Sequence, residues 1–168
     1  GTFNTETPWE SCITICQQWA WKPNDKLKSA KECIHLLLQT VGGDGNLLLN
    51  ISPKPDGSIE QRQIDVLNDI GEWMRYNGDT IYSTRGGPIP PQVWGVTTQK
   101  DNKVFVHVMN PTGKSILLPN FFKPVKSAVY RTNDTREPVE FLTTGDGLEI
   151  LLPPVPENFA VMTFELEL

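Results

Sequence analysis

The chain has 168 residues, 38% of them apolar, with a formal net charge of −5 and a pI near 5.0. That apolar share can build packed cores and excludes wholesale disorder, while the acidic balance argues against nucleic acid and anionic membrane surfaces, which both reward a basic face. No run approaches the roughly 18 consecutive apolar residues of a membrane span, and Cys12, Cys16 and Cys33 with only His35 and His107 fit neither a disulfide framework nor a metal centre, so no metal or cofactor is expected.

Residues 10–15, Glu-Ser-Cys-Ile-Thr-Ile, read as a short strand followed by a loop rich in Trp and Gln. Ala30, Cys33, Ile34, Leu37, Leu38 and Val41 then recur at helical spacing and form one apolar stripe. Ser29 with Glu32 resembles a capping box, Asn24 or Asp25 offers an earlier start, and Gly42 and Gly43 stop the helix. Residues 46–51 are a brief apolar run without polar alternation, which suits a strand buried on both faces, as in a parallel sheet. A second helix is expected from near Ser58, with Gln61 three positions on. It turns Ile64, Leu67, Ile70, Trp73 and Met74 inward and ends at Asn77-Gly78.

Strand, helix, strand, helix makes two successive β/α units. Two such units cannot cover both faces of their strands, whereas a closed barrel takes eight and about 250 residues. Residues 1–85 are therefore expected to be the last units of a (β/α)8 TIM-like barrel. Arg85-Gly-Gly-Pro-Ile-Pro-Pro91 cannot continue a helix, so residues 86–91 read as a linker. Residues 92–168 read as all-β, with strands at 104–109, 115–118, 127–131, 139–142 and 148–152. The last strand, 162–168, alternates apolar and polar residues and is expected to have one buried and one wet face. The fold class expected is α/β plus all-β: the C-terminal part of a barrel followed by a small antiparallel β-sandwich.

Three motifs carry a family resemblance: Trp9-Glu10-x-Cys12, the Trp19-x-Trp21-x-Pro23-Asn24 loop, and Gly45-Asn-Leu-Leu-Leu-Asn-Ile-x-Pro-x-Pro-Asp-Gly57. With Asn77-Gly78-x-x-Ile81-Tyr82 they resemble the family 29 α-L-fucosidases, retaining glycoside hydrolases, over residues 1 to about 85. Residues 92–168 match only in kind, because the family often carries a C-terminal β-sandwich. The resemblance implies two carboxyl groups, a nucleophile and an acid/base, roughly 5 to 5.5 Å apart. The family's nucleophile is an Asp on a middle barrel strand, upstream of this chain, and no residue here aligns with it. Its acid/base is a Glu in the loop before the Trp-Glu-x-Cys strand. Glu6 is the tempting counterpart, but the resemblance favours a Glu upstream of Gly1 and leaves Glu6 in a loop. Glu10 reads as structural.

Trp19 is the leading substrate-binding residue, since an indole face packs against sugar C–H groups and the family lines its methyl pocket with an aromatic at this loop. Trp9 is the second candidate, with a core role competing. Asn50, at the C-terminal end of its strand, reads mainly as a partner of neighbouring loops. His35 and His107 read as packing histidines, and Phe105, Phe121, Phe122, Tyr130 and Phe141 as sandwich core.

The resemblance implies an α-L-fucosidase that removes terminal α-L-fucose from glycans by a retaining double displacement. This chain would be its C-terminal portion, inactive alone, with a fucosylated glycan and the missing N-terminal barrel portion as partners. A secreted, periplasmic or lysosomal location follows from the same resemblance. The competing reading is a non-catalytic carbohydrate-binding or interaction module centred on the sandwich, which requires an exposed row of aromatics on one of its faces.

Overall fold

The computed structural model describes residue 4 and residues 6–168. Strand β1 (Glu10–Thr14) runs parallel to β2 (Asn46–Asn50), with Glu10 opposite Asn46, Cys12 opposite Leu48 and Thr14 opposite Asn50. Helix α1 (Ala30–Gly42) connects them and α2 (Gln61–Asn77) follows. Ser29 is the α1 N-cap: its hydroxyl accepts from the Glu32 amide, and the Glu32 carboxylate accepts from the Ser29 amide at 2.7 Å. The capping box thus takes precedence over Asn24 and Asp25. The same contacts, the Ser29 amide first, hold the Glu32 carboxyl below its usual range.

Helix α2 begins later than Ser58 because that residue is already engaged. Its amide and hydroxyl donate to Asp56 Oδ1 at 2.9 and 2.7 Å, closing the Pro-Asp-Gly turn. Glu60 becomes the N-cap without a side-chain cap bond, and Gln61 reaches forward to Asp65 instead. Four residues of the expected apolar stripe, Leu67, Ile70, Trp73 and Met74, pack against the buried clusters beneath α1 and β1.

The two-stranded sheet is covered on one face only. Ile15, Leu49 and Ile51 meet the helices, whereas Cys12 and Leu48, paired on the opposite face, are exposed. The expectation that residues 46–51 are buried on both faces is not met within this chain. Nothing among the described residues covers the second face, although its composition suits cover.

The remaining strands form two antiparallel sheets. One has the order β3 (Arg85–Gly86), β4 (Gly95–Lys100), β5 (Lys103–Val108), β11 (Met162–Glu167), β7 (Ser127–Arg131) and β8 (Arg136–Pro138). The other has the order β6 (Ser115–Pro119), β10 (Gly147–Leu151) and β9 (Phe141–Thr144). Val104, Val106, Ile116, Leu118, Leu148, Ile150, Phe164 and Leu166 fill the space between them.

Three details depart from the expected strands. The strand expected at 139–142 starts only at Phe141, because Val139 and Glu140 carry the chain from β8 in the larger sheet to β9 in the smaller one. Strand β4, unmarked by apolar alternation, lies near the middle of the larger sheet with Thr97 and Thr98 buried. The expected wet face of β11 is covered at Thr163, which is 2% exposed, because this face of the sheet lies against the helical unit.

That contact is close. A Cβ at Gly42, the last residue of α1, would stand 2.6 Å from Val96 Cβ. Thr98 Oγ donates to the Thr80 carbonyl at 2.8 Å, His35 Nε2 lies 2.8 Å from the Ala160 carbonyl, and Arg131 pairs with Asp79 at 2.7 Å. The Arg85 guanidinium grips Asp44, whose Oδ1 also accepts from the Gly86 amide at 2.7 Å. Arg85 holds the Asp44 carboxyl below its usual range. The segment between the two halves is therefore anchored at its start, and Ile89 within it is buried.

Candidate functional site

The strand register sorts the candidate residues into two ends. In a strand, alternate side chains share a face, so Glu10, Cys12 and Thr14 align with Asn46, Leu48 and Asn50 on the uncovered face. Thr14 and Asn50 stand at the C-terminal ends, and the loop bearing Trp19 hangs over them. At roughly 3.3 Å per residue, each five-residue strand separates its two ends by about 13 Å.

The Trp19 loop is tied down by polar contacts. Asp25 is 5% exposed, and its carboxylate accepts from the Gln18 amide at 2.7 Å and the Lys26 amide at 3.0 Å. Its carbonyl accepts from Arg62 of α2. Lys28 Nζ donates to the carbonyls of Thr14 and Cys16 at 2.7 and 3.3 Å, satisfying the end of β1. The backbone is thus fixed while the Trp19 side chain remains 58% exposed. A large indole held outward on an anchored loop, beside an uncovered strand face, is a surface for an apolar ligand face.

Trp9 sits at the other end. Its indole covers Gly45, where an added Cβ would stand 2.5 Å from the ring, and its Nε1 donates to the Gly43 carbonyl at 3.3 Å. This contact pins the turn between α1 and β2. The structure does not bring Trp9 and Trp19 to one site.

Glu6 is exposed and lies with Trp9 at the N-terminal end. It lines a cavity of about 670 Å3 together with Leu37, Asp44, Leu47, Ile81 and Tyr82. Phe3 and Thr5, its neighbours in the motif, lie outside the described residues. Glu10 starts β1 on the uncovered face, also away from Trp19.

Barrel enzymes build their sites at the C-terminal ends of the strands, which here means Thr14, Asn50 and the Trp19 loop. Ser52 and Gln63, both buried and both bonded into that end, went unnoticed in the sequence. Their only signals were a polar residue within the Ile51-Ser52-Pro53 exit and a Gln on an otherwise apolar helix face.

The α-L-fucosidase family model matches residues 2–79, which span both β/α units. The α-L-fucosidase isoenzyme 1 of Paenibacillus thiaminolyticus superposes with a TM-score of 0.84 at 32% identity, covering 95% of this chain and 39% of that one. The chain belongs to the α-L-fucosidase family.

Other fucosidases agree. The Thermotoga maritima α-fucosidase in complex with fucose gives a TM-score of 0.81 at 28% identity over 96% of this chain and 40% of that one. The human plasma α-L-fucosidase is 30% identical over 120 residues, 66% of this chain and 26% of its own length. The chain thus spans about a quarter of that curated fucosidase. The structural matches, unlike the family model, extend across the β-sandwich, so the whole chain has the fucosidase fold.

The sandwich has no aromatic row. Phe105, Phe121 and Tyr130 are buried and Phe141 packs against the core. Phe122, at 55% exposure, is its one exposed aromatic among the described residues. No helix among the described residues is long and apolar enough to cross a membrane.

Proposed function

We propose that this chain is the C-terminal portion of an α-L-fucosidase that releases terminal α-L-fucose from glycans with retention of configuration. In this reading residues 1–85 are the last β/α units of a (β/α)8 barrel, residues 86–91 join them to the sandwich, and residues 92–168 are that sandwich. The nucleophilic carboxylate and the acid/base belong to the preceding portion, which would also cover the face bearing Cys12 and Leu48. Retaining chemistry needs two carboxyl groups roughly 5 to 5.5 Å apart: one forms the glycosyl-enzyme, and the other protonates the leaving oxygen and then activates water. Glu6 and Glu10, at the far end of the strands, do not serve that pair.

The observation that carries the reading is the uncovered parallel strand pair with Trp19 exposed at its C-terminal rim. Trp19 would form an aromatic wall against the sugar, while Trp9 would serve the loop it covers. The plasma α-L-fucosidase among the relatives supports a secreted setting, within the secreted, periplasmic or lysosomal range that the family resemblance implies. The N-terminal barrel portion and a fucosylated glycan are the expected partners.

An aryl α-L-fucoside assay on the chain alone, and on the chain co-expressed with the barrel portion of a family member, tests this. The expected result is turnover only from the assembled pair. Turnover by the isolated chain would overturn the placement of the carboxylates elsewhere. Absence of turnover from an assembled pair of verified mass would overturn the functional reading.

A further inference from the structure

The Trp19 segment is held by a relay that begins on the far side of β2. Gln63, in the first turn of α2, is 0% exposed, and its amide bonds one residue through both its oxygen and its nitrogen. Its Oε1 accepts from the Ser52 amide at 3.0 Å and its Nε2 donates to the Ser52 carbonyl at 3.0 Å. Ser52, itself 1% exposed, then aims its hydroxyl at the Trp19 carbonyl at 3.0 Å. Asn50 Nδ2 approaches the same carbonyl at 3.5 Å and Thr14 Oγ at 3.4 Å.

A buried amide gains little over an apolar side chain of similar volume, because its desolvation offsets most of what its bonds return. Here it gains direction instead: bonds to the amide and the carbonyl of Ser52 fix its backbone, and therefore the position from which its hydroxyl reaches the Trp19 carbonyl. The structure assigns Gln63, Ser52 and Asn50 as positioning residues that set where the Trp19 indole stands at the rim of the strands. As a statement about sugar recognition, this rests on Trp19 being the aromatic wall proposed above.

The chain labelled with 5-fluorotryptophan provides the test. Its five tryptophans give separate fluorine resonances, with Trp19 assigned from Trp19→Phe. Ser52→Ala removes one donor, and Asn50→Asp turns the other into an acceptor facing a carbonyl. Both are expected to shift or broaden the Trp19 resonance while leaving Trp94 in place. Amide exchange in residues 17–20 should rise about fivefold, the factor that corresponds to one hydrogen bond of about 1 kcal/mol. If the Trp94 resonance of Ser52→Ala collapses, that variant has unfolded and Asn50→Asp decides. An unmoved Trp19 resonance with unchanged exchange overturns the assignment. L-Fucose added to the labelled chain assembled with the barrel portion of a family member tests the other reading separately. A perturbed Trp19 resonance supports the sugar wall, and an unperturbed one counts against it, while the ligand-free spectra still decide the relay.

Discussion

His107 makes the stability of this chain depend on pH in a way that one substitution should remove. It lies near the end of β5, is 0% exposed, and stands between two hydroxyls: Thr98 Oγ is 3.0 Å from Nε2 and Thr163 Oγ is 3.4 Å from Nδ1. Because Thr98 gives its proton to the Thr80 carbonyl, its oxygen is left to accept from Nε2–H, which assigns the neutral tautomer. No carboxylate bonds to the ring, and the nearby Arg131 is already paired with Glu165 and Asp79. Burial first, and the Arg131 charge second, push the imidazole down to about 3. The unfolded chain takes up this proton near pH 6.5 and the folded chain does not. The contribution is thus complete above pH 6.5 and is lost progressively as pH falls toward 3. Between pH 7.5 and pH 4.5 the loss amounts to about 2 to 3 kcal/mol. His107→Gln keeps a donor for Thr98 and cannot titrate. Urea unfolding of both proteins at the two pH values isolates the effect, because the carboxylates contribute equally to each. The unsubstituted chain should lose about 2 to 3 kcal/mol more than the variant. Equal losses would mean that the folded imidazole binds its proton normally and would refute the reasoning.

Gly71 lies on the exposed side of α2 with nothing within 4 Å of an added Cβ, so Gly71→Ala should stabilise by about 0.5 to 1 kcal/mol in the same unfolding measurement. Gly45→Ala should destabilise by about 1 to 3 kcal/mol, because its methyl would enter the Trp9 ring, and a thermal melt would show the drop. Arg131→Met leaves Asp79 and Glu165 without their shared partner. Glu165, only 14% exposed at its side chain, is pushed up by desolvation but held low by Lys103 and Arg131. Removing Arg131 should cost about 3 kcal/mol at neutral pH and noticeably less once that carboxyl is protonated, as unfolding at pH 4 would show.

The local elements were legible because short-range chemistry decides them. Ser29 and Glu32 cap a helix through bonds spanning three residues, and the run from Leu47 to Leu49 has few alternatives to a strand. The start of α2 was misplaced for a local reason as well: Asp56 competes for Ser58 and wins. The polar residues that fold inward were not legible. Thr98, His107 and Thr163 read as ordinary strand polarity, yet all are buried because one sheet face meets the helical unit. Burial of a polar group depends on partners distant in sequence, and the Thr80 carbonyl that receives Thr98 belongs to the other half of the chain.

By itself the sequence determined two β/α units, an all-β remainder and, through its motifs, a kinship with fucosidases. Those features rest on contacts between near neighbours and on strings of residues that can be read directly. Only the tertiary structure decided that one face of the strand pair is left uncovered, and that Gln63 reaches Trp19 through Ser52. The physical reason is register: a parallel pairing set by a helix crossover puts the exits of β1 and β2 side by side, and that geometry is a property of the assembled sheet rather than of any one segment.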